Sequence, residues 1–130
     1  MLIKIKKIVL LYNFNNNRLK LVRKALSALG CTVRTVSKKE YSQPIGYLVG
    51  DEKYVSCDKK YSGAGFDDEM LVMYGFGSEM IDVLISALKK IGIGRIALKA
   101  VVTEQNINWD SVKLYNEIKT EHEQMTKKNQ

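Results

Sequence analysis

The sequence predicts one α/β domain in which a βαβ unit occurs twice. Residues 12–30 and 74–92 agree at five positions when they are aligned at an offset of 62, whereas average residue usage gives about one identity by chance. Each copy opens with a continuous apolar run, which is typical of a strand buried on both faces. A single βαβ unit leaves its apolar faces bare, and two units side by side cover them. The identical pairs are Tyr12/Tyr74, Phe14/Phe76, Ala25/Ala87, Leu26/Leu88 and Gly30/Gly92.

The first unit spans residues 7–38. Its opening strand, KIVLLYNF, ends at three asparagines, 15–17, that suit a helix N-cap. The helix ends at Gly30, where a left-handed C-cap needs no Cβ atom. The segment CTVRTV then predicts the second strand. The apolar stripe of the helix has 3-4-3 spacing and consists of Leu19, Val22, Leu26 and Leu29.

The second unit spans residues 69–102 and repeats this order. The strand EMLVMYGF is followed by a turn at Gly77–Ser78 and by a helix that ends at Gly92. Its stripe consists of Ile81, Leu84, Leu88 and Ile91. The closing strand, RIALKAVV, alternates, with Ile96, Leu98, Ala100 and Val102 on one face and Arg95 and Lys99 on the other.

These patterns place the two buried strands at the centre of a four-stranded sheet and the alternating strands at its edges. That arrangement is the ferredoxin-like, split βαβ fold with an added C-terminal helix. A doubly wound parallel sheet with three layers is the alternative, because the repeat fits both. We expect one domain over residues 1–130.

The connecting segment, residues 40–68, holds the only proline of the chain. Within it, IGYLV and KYVSC flank Gly50-Asp51-Glu52 and predict a hairpin, followed by a loop. The last helix, about residues 109–127, has Asn108 or Asp110 as its cap. Its stripe consists of Tyr115, Ile118, His122 and Met125. This helix covers the sheet of its own chain or that of a partner, so we expect a homodimer.

We expect a small cytoplasmic binding or regulatory module rather than an enzyme, because no nucleophile, acid–base pair or metal-ligand set stands out in the sequence. No segment approaches the ~18 uncharged apolar residues of a membrane span, and the run IVLLY is too short for a secretion signal. Two cysteines without C-x-x-C spacing indicate reduced thiols. A single histidine, His122, excludes a multi-histidine metal site. We expect no cofactor, no metal and no catalytic residue.

The segment TEQNINWD is the leading candidate for contact with a small molecule or a protein partner. It leaves an edge strand and brings carboxamides and an indole to the strand's carboxyl end. A loop held by asparagine turns, with the tryptophan as part of the core, explains the same residues. The candidates are Thr103, Gln105, Asn106, Asn108 and Trp109.

Charge supplies the second hypothesis, nucleic-acid binding. The net charge is +7, and residues 1–39 contain ten Lys or Arg residues and no acid. Such asymmetry is found in proteins with anionic partners, although a lysine-rich solvated face gives the same pattern. The candidate contacts are Lys20, Arg23 and Lys24. The pairs Tyr12/Phe14 and Tyr74/Phe76 do not form one base-stacking platform, because antiparallel strands place them at opposite edges.

A third hypothesis is a phosphate- or nucleotide-dependent enzyme. Gly75, Gly77 and Ser78 follow a strand and precede a helix, as in phosphate-binding loops. The segment lacks the third glycine of a dinucleotide fingerprint and the lysine of a P-loop. A tight turn with a serine cap explains these residues equally well.

Several segments resemble a bacterial family of unknown function, DUF3783. They are LLYNF together with LVRKALSALG, YSQPIGYLVG, DEMLVMYGF and LKAVVTEQNINWDSVKLYNEIKTEHEQM. The resemblance covers most of the chain and is strongest from Asp68 to Met125. It implies a bacterial, cytoplasmic protein, and it implies no activity, cofactor or site residue.

Overall fold

A computed structural model describes residues 6–128 of the chain. Lys4, one of the ten basic residues of the first third, lies outside these residues. The described part forms one four-stranded sheet and four α-helices. The elements are β1 (Ile8–Tyr12), α1 (Asn16–Ala28), β2 (Thr32–Thr35), α2 (Ile45–Leu48), β3 (Met70–Tyr74), α3 (Ser78–Lys90), β4 (Leu98–Val101) and α4 (Ser111–Lys128).

The sheet is mixed, with strand order β2-β1-β3-β4. The central position of β1 and β3, and the edge position of β2 and β4, are confirmed. Each βαβ unit keeps its two strands adjacent and parallel, so the units are not split and the ferredoxin-like arrangement is not confirmed. The central pair is antiparallel, with Ile8 opposite Tyr74 and Tyr12 opposite Met70, which rules out the all-parallel alternative.

The two units match element by element up to the end of their helices. β3 and α3 begin and end 62 positions after β1 and α1. Gly30 and Gly92 follow the helices with φ of 79° and 72°, the left-handed region that favours glycine. The units then diverge, because three residues join α1 to β2 and seven join α3 to β4.

Both faces of the central strands are covered within the chain. On one face, α1 and α3 pack against Val9, Leu11, Leu71 and Met73. On the other, the connecting segment and α4 pack against Leu10, Tyr12, Met70 and Val72. These eight strand residues are at most 2% exposed. We expected a homodimer because the last helix could cover the sheet of a partner, but both sheet faces are already covered within one chain.

The predicted hairpin in the connecting segment is wrong. The run after Pro44 forms the single helical turn α2, in which Ile45 and Leu48 are buried on one side, and the segment KYVSC forms no strand. The loop that follows is part of the core. Phe66 stacks between Tyr115 and Tyr41, with ring centroids 4.0 and 4.7 Å away.

The last helix, α4, confirms the predicted C-terminal helix. Asp110 caps it by accepting a hydrogen bond from the Lys113 backbone N–H at 2.8 Å. Leu114 is fully buried against the sheet, whereas Met125, at the end of the predicted stripe, is 65% exposed because the helix extends past the sheet. No helix in the described part of the chain combines the length and apolarity needed to cross a membrane.

Candidate functional site

Asn106, at the centre of the predicted contact segment, is held by its own loop. Its side-chain oxygen accepts from the Thr103 N–H at 2.8 Å, and its amide donates to the Val101 carbonyl at 3.0 Å. Its backbone N–H donates to the Thr103 hydroxyl at 3.1 Å. Asn106 is buried, and all its polar groups form hydrogen bonds within the protein. Its contacts therefore fit the second explanation given for this segment, a loop held by asparagine turns.

The neighbouring candidates also contact the protein itself. Asn108 accepts a hydrogen bond from the Tyr54 hydroxyl at 3.0 Å and donates to the Glu104 carbonyl at 3.2 Å. Trp109 packs against the core beneath α4, and the Lys113 ammonium lies 5.0 Å from its ring centroid. Gln105 is exposed on the loop surface.

Thr103 lines an open cleft of about 450 Å³ at the carboxyl ends of β3 and β4. The cleft also contains Tyr74, whose hydroxyl donates to the Asp51 carboxylate at 3.2 Å. Burial raises the pKa of Tyr74, and the charge of Asp51 raises it further. Lys53 and Glu104 add one charge of each sign. The cleft therefore joins part of the predicted segment to the connecting segment, which sequence reasoning did not nominate.

The glycine loop lies at the start of α3. Gly75 has φ of 81°, and its counterpart 62 positions earlier, Asn13, has φ of 64°. Gly77 is the N-cap residue and provides no side-chain hydrogen bond. Ser78 is the first helical residue rather than the cap. Glu79 occupies the first turn, where its carboxylate already interacts favourably with the helix dipole and repels an incoming anion.

The basic first third is partly neutralised in the fold. Arg18 forms two hydrogen bonds to the Glu69 carboxylate, at 2.6 and 2.8 Å, and Arg34 contacts Glu40 at 2.7 Å. The three nucleic-acid candidates remain available: Lys20, Arg23 and Lys24 are exposed on α1 and form no salt bridge with any carboxylate of residues 6–128.

A second cavity lies between α3, β4 and the seven-residue connector that joins them, residues 91–97. The sequence analysis did not predict this cavity. We call it the α3–β4 pocket; its volume is about 640 Å³, within the ~300–1,000 Å³ range of small-molecule sites. Leu88 and Ile96 are buried in its wall, and the glycines Gly92 and Gly94 have φ of 72° and 78°. The lining residues are Ile85, Leu88, Lys89, Gly92, Gly94, Arg95, Ile96 and Lys99.

The charge of the α3–β4 pocket has one sign. Lys89, Arg95 and Lys99 line it, none of its lining residues is acidic, and none of the three forms a salt bridge with a carboxylate of the described residues. The Lys99 ammonium donates a hydrogen bond to the Ile96 carbonyl. Burial lowers the pKa of Lys99, and the nearby charge of Arg95 lowers it further.

The second half of the chain is similar to a protein family. Residues 69–125 match the family model of a domain of unknown function, DUF3783. The resemblance predicted from the residues is thereby confirmed over this range. No curated protein and no solved structure gives a significant match. The DUF3783 match runs from β3 through most of α4, so it contains both the α3–β4 pocket and the 103–109 segment.

Across residues 6–128, no group of three or more His, Cys, Asp or Glu side chains is arranged to hold an ion. His122 is half-buried on α4 and lines neither the α3–β4 pocket nor the cleft at Thr103.

Proposed function

We propose that the protein is a small-molecule-binding module and that the α3–β4 pocket is its binding site. The observation that supports this is the apolar wall of Leu88 and Ile96 beside a connector four residues longer than its counterpart. In the first unit the short connector brings Cys31 into the core. In the second unit the longer connector contains two glycines with left-handed backbone, and it leaves a cavity beside α3. The volume of this cavity is in the range of small-molecule sites.

The polar cleft near Thr103 is the weaker candidate. Its principal groups already satisfy one another, through the Tyr74–Asp51 and Tyr54–Asn108 hydrogen bonds. A ligand there must replace those bonds at no net gain. In the α3–β4 pocket, a ligand covers apolar surface without breaking a side chain–side chain hydrogen bond. We therefore place the main binding site on α3 and β4, with the 103–109 segment as a secondary contact.

The proposal is tested with anilinonaphthalene sulfonate, a dye that fluoresces when it enters an apolar site. We expect a saturable fluorescence increase at one site of the native protein. Ile85→Glu puts a carboxylate into the pocket wall and is expected to abolish the increase. Val83→Glu is the matched control, because Val83 lies on the same helix, is 46% exposed and does not line this pocket.

Three outcomes of the dye experiment contradict the proposal. One is a native protein that gives no saturable signal. Another is equal loss of signal in both glutamate variants, each shown by circular dichroism to be folded. The reverse pattern, loss in Val83→Glu only, moves the dye to the groove between α1 and α3, which Val83 lines, and also contradicts the assignment.

Nucleic-acid binding is the second candidate function. Lys20, Arg23 and Lys24 are exposed and lie at i, i+3 and i+4 on α1, so they share one helix face. We expect labelled RNA or single-stranded DNA to bind with an affinity that falls steeply with salt, because bound phosphates release counterions. Fluorescence anisotropy at low and moderate salt, with the three residues changed to Gln and Lys90→Gln as control, tests this. Flat titrations at both salts contradict it.

The remaining expectations stand as proposals. Cys31 and Cys57 are both free thiols, which supports a reducing, cytoplasmic location. The coincident bounds of the two units support their origin by duplication. A homodimer would have to use surfaces other than the two covered faces of the sheet, such as an edge strand or the exposed Met125.

A further inference from the structure

We infer that the ligand of the α3–β4 pocket is an amphipathic carboxylate: an apolar chain or ring that ends in one carboxylate group. This inference rests on the proposed function and adds the chemical class of the ligand. It is carried by the coexistence, in one cavity, of a buried apolar wall and three cations from three different elements. Lys89 comes from α3, Arg95 from the connector and Lys99 from β4.

The unbalanced charge is the first argument. Elsewhere in the described chain, three half-buried cations pair with carboxylates, as Arg18 does with Glu69 and Arg34 with Glu40. The α3–β4 pocket gathers three cations without an acidic residue in its lining. Like charges at short range repel, and a bound anion converts this repulsion into attraction. A neutral ligand leaves the repulsion in place, and a cationic ligand adds to it.

The position of Lys99 is the second argument. Lysines on a solvated face extend into water, but Lys99 is half-buried and its ammonium is held by the Ile96 carbonyl at the pocket wall. One ammonium hydrogen bond is thus made by the backbone, and two protons remain for a ligand. Arg95 lines the same pocket as Lys99, so one ligand group in the pocket can face both cations.

Arg95 and the apolar wall specify the two ends of the ligand. The guanidinium presents paired N–H groups that match the two oxygens of a carboxylate. Ile85, Leu88 and Ile96 offer hydrocarbon surface with no side-chain polar atom. The ligand's carboxylate therefore lies between Arg95 and Lys99, and its apolar part lies along α3.

The experiment compares three probes with the same tail: octanoate, octanol and octylammonium. Each is titrated into the full ¹⁵N-labelled chain, and the amide signals of Gly92, Gly94 and Lys99 are followed. We expect saturable shifts with octanoate, binding of octanol weaker by about tenfold or more, and still weaker binding of octylammonium, because one charge-assisted contact is worth about one decade in affinity. Arg95→Gln and Lys99→Gln are expected to weaken octanoate by about tenfold each and to leave octanol unchanged.

Lys90→Gln is the matched control. Lys90 is exposed on the last turn of α3, next to Lys89, and does not line the pocket. Octanoate affinity is expected to be unchanged in this variant. Equal weakening by Lys90→Gln and Arg95→Gln would mean that net charge alone attracts octanoate, which overturns the inference.

The other outcomes separate the inference from the proposed function. If octanol binds in the pocket as tightly as octanoate, the protein is a binding module for neutral apolar ligands, and only the inference fails. If none of the three probes shifts the pocket amides, both the inference and the proposed function fail. Arg95 is exposed, so its variant folds even if the Lys99 variant does not.

Discussion

The hydroxyl oxygens of Tyr12 and Ser111 lie 2.7 Å apart in the interior of the protein, and both residues are fully buried. Tyr12 ends β1, and Ser111 begins α4. The hydrogen bond joins residues 99 positions apart and fixes the start of the helix that covers one face of the sheet. Burial raises the pKa of Tyr12, because a charged phenolate is costly away from water.

Tyr12→Phe is expected to reduce the free energy of unfolding by about 1–3 kcal/mol, because the Ser111 hydroxyl is left buried without its partner. Ser111→Ala is expected to cost a similar amount. The double variant should lose less than the sum of the two, because neither orphaned hydroxyl remains. Urea unfolding of the native protein, the two single variants and the double variant measures these free energies. If the losses of the two single variants simply add in the double variant, the buried Tyr12–Ser111 hydrogen bond is contradicted.

Phe66 is expected to matter as a core residue although it comes from the connecting segment. Phe66→Ala removes a ring that stacks on Tyr41 and Tyr115 and should lower the free energy of unfolding by about 3–5 kcal/mol. Val55→Ala is the control in the same segment, because Val55 is 79% exposed; it should change stability by less than about 0.5 kcal/mol. Similar losses in both variants would mean that the segment is not packed as described.

Asn13 combines a left-handed backbone with hydrogen bonds to the carbonyls of Phe66 and Asp68, at 2.9 and 3.0 Å. Asn13→Gly removes the hydrogen bonds, but glycine adopts the left-handed backbone conformation without strain. Asn13→Ala removes the bonds and also strains the backbone, so it should be less stable than Asn13→Gly by about 1 kcal/mol. Thermal unfolding compares the two variants, and an alanine variant as stable as the glycine variant would refute this account of residue 13.

Asp68 is expected to make stability depend on pH. Hydrogen bonds from the Lys119 ammonium and the Tyr115 hydroxyl, at 2.7 and 2.9 Å, lower the pKa of Asp68 below its ordinary value. A lowered pKa in the folded state adds stability above the ordinary aspartate range, and this stability is lost as pH falls through the folded-state pKa.

Asp68→Asn isolates this contribution, because every other carboxylate is common to both proteins. The native protein should exceed the variant in free energy of unfolding by a constant amount near neutral pH. The difference should shrink as the pH falls below the ordinary range of aspartate. Denaturant unfolding over a pH series measures it, and a difference that does not change with pH would contradict the assignment.

The elements of the two units were predictable because their signals are local. The apolar runs before Asn13 and Gly75, the helical stripes and the terminating glycines Gly30 and Gly92 each act within a few residues of chain. The structure places the corresponding strands and helices 62 positions apart, the offset found in the sequence.

Strand order was not predictable from the same signals. The local pattern of a βαβ unit is the same whether its two strands are adjacent or separated by a third strand. The connecting segment, in addition, gave a misleading pattern. The run IGYLV has the composition of a short strand, and such runs are ambiguous between helix and strand. Pro44 and the contact from the Ile45 N–H to the Trp109 carbonyl, at 2.8 Å, instead accommodate a helical turn.

The α3–β4 pocket was not predictable from the alternation of apolar and charged residues in the segment RIALKAVV. That pattern extended the strand back to Arg95 and placed Lys99 on a half-exposed face. The strand instead begins at Leu98, and Ile96 joins the core beneath α3. The available signal was the second glycine, Gly94, soon after the helix-ending Gly92: it indicates an irregular connector rather than a strand that starts at once.

The most direct test of the binding site is a map of intermolecular nuclear Overhauser effects between octanoate and the methyl groups of the isotope-labelled protein. The proposed site predicts contacts from the octanoate chain to the methyl groups of Ile85, Leu88 and Ile96. Contacts instead to Val102 and Ile107, which line the polar cleft, or a ligand that gives no protein contacts at all, would contradict the assignment of the α3–β4 pocket.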